Sequence, residues 1–140
     1  MAAAAPRRGR APDSQRPVSR DRIEIRRDPL KGRGVFARKA IDAGALIETA
    51  PVVIVPADQR PRLEDTILRD YYFVWDEDSD GRAAIALGLV SLCNHSRRPS
   101  ARVRRNRAGE TLDLLALTPL AAGSEITIDY NCPLWFSPRD

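Results

Sequence analysis

Leu92-Cys93-Asn94-His95-Ser96-Arg97-Arg98-Pro99-Ser100 is the stretch on which the reading of this chain turns. It holds the only histidine, beside an asparagine and a serine, and closes on a Pro-Ser turn. The apolar run Ile85-Ala86-Leu87-Gly88-Leu89-Val90 precedes it, so an amide and an imidazole leave the core together. Both groups donate and accept hydrogen bonds, and loops on a rigid scaffold are where binding groups collect. Taken alone, the same residues describe a helix terminus with Asn94 and Ser96 as turn formers and His95 incidental, which is the plainer reading.

The surrounding chain sets limits. Its 140 residues allow one domain plus a tail. The hydrophobic share of 43% and charged share of 30% are ordinary for a soluble globular protein. No apolar run approaches the roughly 20 residues that span a bilayer, and Met1-Ala2-Ala3-Ala4-Ala5-Pro6 is too short for a signal peptide's apolar region. An intracellular protein with no membrane association is expected. Cys93 and Cys132 have neither the number nor the spacing of a zinc site or a disulfide framework, so no metal is expected.

The net charge of +4 is unevenly placed. Residues 1–21 are rich in arginine and proline and poor in apolar side chains, the composition of a disordered basic tail. Arg102, Arg104, Arg105 and Arg107 form a second basic cluster. No base-stacking aromatics are interleaved with it, so nucleic-acid contact is secondary at most.

Pattern predicts mostly short strands. Ile23-Glu24-Ile25-Arg26 alternates, Asp28–Gly34 is loop chemistry, and Val35-Phe36-Ala37 is a second strand. Leu46-Ile47-Glu48 and Val52-Val53-Ile54-Val55 read as two strands separated by Pro51. Residues 58–70 fit a short helix on the spacing of Leu63, Ile67 and Leu68. Tyr71–Trp75 reads as an aromatic strand, followed by an acidic turn over 76–81. Residues 83–87 are a strand or the start of a short helix at 88–92. Ala101–Arg105 and Leu112–Leu117 pair as a hairpin, and Glu125–Tyr130 is the last strand. The fold class is therefore mainly β, in several small sheets with short helices.

Gly32-Arg33-Gly34 lacks the third glycine of a dinucleotide fingerprint and has no Walker lysine. Its weight comes from order: Gly-x-Gly, then Asn94-His95-Ser96, then Glu125-Ile126-Thr127-Ile128-Asp129-Tyr130-Asn131. In this order the chain resembles the SET-domain lysine methyltransferases, most closely their minimal virus-encoded members, over about residues 22–136. Asp70-Tyr71-Tyr72-Phe73 is similar to the family's channel-lining segment. The resemblance implies a β-clip-like SET domain over 22–136, a C-terminal pseudoknot, and a short tail at 137–140.

It also implies S-adenosyl-L-methionine as cofactor, held by Lys31, Gly32, Arg33, Gly34, Asn94, His95, Tyr130 and Trp135. Tyr130 and Tyr71 are the implied catalytic pair, and Tyr71, Ile128 and Leu134 the implied walls of a lysine channel. A lysine amine, with a solution pKa near about 10.4, must lose a proton before attacking a methyl sulfonium. A narrow apolar channel disfavours the ammonium and aligns the amine behind the methyl group. Tyr130 is assigned orientation and electrostatic support before general-base work, because a resting phenol holds its proton at neutral pH.

The sequence departs from the family pattern in places. Ala45 stands where a glutamate is usual, Ser100 follows Pro99 where a second asparagine is expected, and Ile128 replaces an aromatic residue. The implied substrate is a lysine in a basic histone or histone-like tail, laid across the domain as an added strand. Glu64, Asp65, Asp70 and Asp76–Asp80 could line an acidic groove for it. Two other readings stay open: methylation of a ribosomal or DNA-packing protein, and a catalytically silent module that binds protein or nucleic acid. So small a member is compatible with a homodimer. Its compartment would be the cytoplasm or nucleoid of a bacterium, or the nucleus of a eukaryote.

Overall fold

The computed structural model describes residues 21–76 and 81–130. The basic tail, the acidic residues 77–80, Asn131, Cys132, Leu134, Trp135, the threading of the C-terminal segment and the tail at 137–140 lie outside the described residues. Among the described residues no helix is long and apolar enough to cross a membrane.

Two small sheets carry the fold. The first joins β1 (Ile23–Asp28), β2 (Gly32–Ala37), β9 (Glu125–Ile128) and β6 (Asn94–His95), in the order β1-β2-β9-β6. The second joins β4 (Phe73–Val74), β5 (Ala83–Ala86), β3 (Leu46–Val55), β8 (Thr111–Ala116) and β7 (Ala101–Asn106), in the order β4-β5-β3-β8-β7. Val35, Ile41, Ile47, Trp75, Val90, Leu112, Leu114, Ile126 and Ile128 are buried in one core. Such burial is the main favourable term in folding.

Pro51 does not divide β3 into two strands. It sits where the strand changes partner, with Leu46–Pro51 paired to β8 and Val52–Val55 to β5. A proline cannot donate to a ladder, but here the flanking groups close the gap. Val52 donates to the Glu110 carbonyl at 3.0 Å, and the Pro51 carbonyl accepts from Leu87 at 2.9 Å.

Residues 58–70 form two short pieces rather than one helix: α1 (Arg60–Leu63) and a 3₁₀ turn over Ile67–Asp70. Thr66 interrupts them, its hydroxyl accepting from the Leu68 N–H at 3.1 Å as an N-cap. Ile67 is 76% exposed, so the apolar spacing does not mark a core face. The aromatic strand is likewise shorter than expected, only Phe73–Val74. Gly32 and Gly34 belong to β2, leaving just 29–31 as the turn.

The second sheet curls until its edges are tied by arginines. From the β7 side, Arg105 Nε donates to the Val74 carbonyl at 2.7 Å, and Arg107 lies 5.7 Å over the buried Trp75 ring.

Candidate active site

The site is built where chain segments distant in sequence cross. Asn94 and His95 run parallel to β9, with Asn94 opposite Thr127 and His95 opposite Ile128. Ser96 extends the pairing by donating to the Ile128 carbonyl at 3.0 Å. Ser100 secures the crossing from its other end. Its hydroxyl accepts from Thr127 N at 3.0 Å and donates to the Glu125 carbonyl at 3.1 Å. Ser100 thus makes specific use of the position where an asparagine was expected.

Tyr130 is brought to Cys93 and His95 by this pairing. Its hydroxyl donates to the Cys93 carbonyl at 3.1 Å and its backbone N–H donates to His95 Nδ1 at 3.2 Å. The two rings meet edge to face, 5.1 Å apart. Because Nδ1 accepts a proton donor, the ring proton of the neutral imidazole belongs on Nε2. Asp129 lies 3.9 Å away, too far to compete with that hydrogen bond. Nε2 is buried without a partner among the described residues.

Cys93 packs in the core at 3% exposure, and burial pushes its thiol pKa far up, with lesser contributions from Glu48 and Glu125. Its backbone carbonyl, not its sulfur, faces the chemistry.

Two cavities meet at this point. One, of about 240 Å³, is lined by Lys31, Gly32, Arg33, Leu92 and Asn94. The other, of about 50 Å³, is lined by Arg69, Tyr72, Phe73, Val74, Val90 and Ile128. Asp70, Tyr71, Ser91, Cys93 and Tyr130 line both. A broad polar cleft and a narrow, mainly apolar cavity therefore share a wall formed by two tyrosines.

Sequence reasoning passed over two carboxylates that hold this arrangement. Glu48 receives the Leu89 and Val90 N–H groups, each at 2.9 Å, and so caps the 3₁₀ turn Leu89–Leu92 that forms the cavity wall. Gly88 is required beside it, since a Cβ there would lie 2.8 Å from Glu48 Oε1 and from Ala50 Cβ. Glu125 receives the Asn94 side-chain N–H at 2.7 Å and Lys31 Nζ at 3.4 Å. Both contacts span long sequence separations, 41 residues from Glu48 to Leu89 and 31 from Asn94 to Glu125, so no local pattern announces them.

Of the expected site residues, Lys31, Gly32, Arg33, Asn94, Tyr71 and Tyr130 converge on the cleft. Ile128 lies on the narrow cavity, while the His95 side chain packs behind Tyr130. Gly34 is beside the cleft, and the space over its Cα is filled by Glu125 and Asn94. Leu134 and Trp135 are outside the described residues.

Among the described residues, two of the carboxylates expected to line an acidic groove are engaged by neighbours. Asp76 is engaged by Arg82 at 2.9 Å and Arg107 at 3.4 Å, and Glu64 by Arg69 and Tyr72. Asp65 and Asp70 stay exposed, and of these Asp70 lines both cavities. Among the described residues no group of three or more His, Cys, Asp or Glu side chains could hold a metal ion.

The cleft suits a ligand that carries both a positive and a negative group. It offers an amide (Asn94), cations (Lys31, Arg33), the open backbone at Gly32 and two tyrosine side chains. Aromatic faces attract cations, and the amide and ammonium groups match a zwitterion.

Comparison with known proteins points the same way. The SET domain family profile matches residues 32–131. The "Histone-lysine N-methyltransferase, H3 lysine-37 specific" of Schizosaccharomyces pombe is 35% identical over 121 residues, covering 86% of this chain and 80% of that protein. A Plasmodium falciparum protein described as a candidate histone methyltransferase superimposes with a TM-score of 0.64 at 27% identity, covering 82% of this chain and 97% of the other. The Neurospora SET domain protein DIM-5, a histone lysine methyltransferase, shares the fold with a TM-score of 0.63 at 19% identity, over 84% of this chain and 55% of that one.

Proposed function

The chain belongs to the SET-domain family, and on that premise we propose that it transfers a methyl group from S-adenosylmethionine to a lysine of a histone tail. It is a protein-lysine methyltransferase, and SET methyltransferases generally use S-adenosylmethionine. The observation that carries the proposal is the pair of cavities sharing Tyr71 and Tyr130. One accommodates a cofactor, the other the stem of a lysine, and the tyrosines stand where the two ends meet.

Bound in the cleft, the cofactor supplies an electrophilic methyl group on a sulfonium. Asn94 and Lys31 would hold its amino-acid end, and the backbone at Gly32 and Arg33 would accommodate its length. Val90, Ile128, Phe73 and the tyrosine rings surround the lysine stem with apolar surface. That surface disfavours the ammonium, lowers the amine's pKa and excludes water. Alignment of the amine by the narrow cavity supplies proximity in addition.

Tyr130 Oη is anchored on the Cys93 carbonyl, which fixes the phenol at the junction. There it orients the amine and supports the charge that moves during transfer. Tyr71 lines the same two cavities and offers a π-face to the methylated ammonium product. Leu134 and Trp135 are proposed to complete the channel and the cofactor site. Asp65 and Asp70 favour a basic tail.

The histone reading places a eukaryotic enzyme of this kind in the nucleus. Within the basic cluster of Arg102, Arg104, Arg105 and Arg107, Arg104 pairs with Asp113, Arg105 with the Val74 carbonyl and Arg107 with Asp76. A homodimer and an electrostatic contact of this cluster with nucleic acid are secondary parts of the proposal.

The test is incubation with methyl-labelled S-adenosylmethionine and core histones, with mass spectrometry locating the label. Label on lysine is expected. Label confined to other residue types, or transfer only to a non-histone protein, would overturn the corresponding part of the reading.

A further inference from the structure

We infer that Glu125 is a positioning residue: it locks the Asn94 amide so that only its carbonyl oxygen remains for the ammonium of the cofactor's amino-acid end. The inference rests on the cofactor reading above and extends it to a group not counted among the site residues.

The chemistry of the partners decides the orientation. Asn94 Nδ2 donates to the Arg33 carbonyl at 3.2 Å and to Glu125 Oε2 at 2.7 Å. A backbone carbonyl and a carboxylate only accept, so the amide nitrogen must face them both. With its two N–H groups used, Asn94 offers a ligand in the cleft nothing but Oδ1. An acceptor recognises an ammonium and rejects a carboxylate.

The other oxygen of the same carboxylate meets Lys31 Nζ at 3.4 Å, and Lys31 lines the same cleft. One glutamate therefore holds an acceptor and a cation side by side. That arrangement sorts the two charges of a zwitterion. The Lys31 pair is partly exposed and contributes little energy by itself. The shorter bond to the Asn94 amide, made by a side chain only 17% exposed, carries the effect.

Gly34 shows that the arrangement is built in. A Cβ at this position would lie 2.6 Å from Glu125 Oε2 and 2.9 Å from Asn94 Nδ2. Its φ is not in the left-handed region, so the requirement is for space rather than for backbone freedom. The second glycine of the Gly-x-Gly motif makes room for the glutamate and the amide.

The experiment is calorimetric titration of S-adenosylmethionine and of 5′-methylthioadenosine, which lacks the amino-acid end. Wild type is expected to favour S-adenosylmethionine. Glu125→Ala should reduce that preference by roughly tenfold or more, the scale of one charge-assisted hydrogen bond, with methylthioadenosine affinity unchanged. Gly34→Ala should act alike by pushing the same groups apart. Glu125→Gln keeps an oxygen for Asn94 and should stay within about threefold of wild type. Gly34→Ala serves as the readout if Glu125→Ala does not fold.

Equal weakening of both ligands by Glu125→Ala, or an unchanged preference, would overturn the inference. So would a Glu125→Gln variant as impaired as Glu125→Ala. Equal wild-type affinity for the two ligands would refute the positioning role while leaving the cofactor reading intact. A folded wild type that binds neither would refute both.

Discussion

Replacing Glu48 by alanine should loosen the wall between the two cavities. In the folded chain its carboxylate accepts from two successive backbone donors, Leu89 and Val90, at 2.9 Å each. Hydrogen bonds to a charged group contribute about 1.5–3 kcal/mol apiece. Glu48 is only half-buried, so water recovers part of the loss, and about 2–4 kcal/mol is expected in total. With a urea m-value of about 2 kcal/mol/M, the midpoint should fall by about 1–2 M. Glu48→Gln retains one acceptor oxygen and should fall by about half as much. Gly88→Ala, which drives a methyl group against Glu48 Oε1 and Ala50 Cβ, should cost about 1–3 kcal/mol through the same contact. Urea unfolding followed by tryptophan fluorescence, with Trp75 in the core, is the assay. A shift for Glu48→Ala below about 0.3 M at constant m would refute the capping argument.

Three further expectations come from other parts of the fold. Asp113 is buried and accepts from Thr49 Oγ1 and Arg104 Nη2, both at 2.9 Å. Asp113→Ala should cost about 1–3 kcal/mol and lower Tm by about 5–15 °C in a melt; an unchanged Tm would contradict the pairing. Asp76 is held well below the usual carboxylate range, first by the Arg82 guanidinium, then by Arg82 N–H and more weakly by Arg107. Stability from it is therefore complete above about pH 4 and lost as pH falls toward the lowered value. The urea-midpoint gap between wild type and Asp76→Asn should shrink from pH 7 to pH 2, and a constant gap would refute it. In a Cys132→Ser background, Cys93 should react with a thiol reagent only in denaturant, because burial keeps it protonated and covered. Stoichiometric labelling of the native protein would contradict that.

The strands were legible because their apolar residues alternate and their turns are marked by Gly and Pro. β7 and β8 lie within one residue of their expected ends. The errors have two causes, tertiary pairing and local capping, each overriding the pattern read from spacing. Pro51 reads as a strand breaker but sits where β3 passes from one partner to another. Leu63, Ile67 and Leu68 have helical spacing, yet the Thr66 cap divides the segment and Ile67 points to solvent. At the site, Asn94 and Tyr130 could be picked out by motif. Glu48 and Gly88 could not, and Glu125, though it opens the Glu125–Asn131 motif, gave no sign of its partner, because their meaning lies in backbone donors, methyl groups and amides far along the chain. Two of the acidic residues read as groove carboxylates, Glu64 and Asp76, are engaged for a related reason. Composition counts Glu64 and Asp76 as free acids, whereas folding supplies each with an arginine.

The most direct test of the account measures methyl transfer to histone lysine and S-adenosylmethionine affinity on the same preparations of wild type and Tyr130→Phe. The phenol is placed where the two cavities meet, bonded to the Cys93 carbonyl. Transfer by wild type, lost or nearly lost in Tyr130→Phe while cofactor affinity stays within about threefold, is the result expected of a group that acts in the transition state. Undiminished transfer by a folded Tyr130→Phe variant, or an equal loss of binding and turnover, would contradict it.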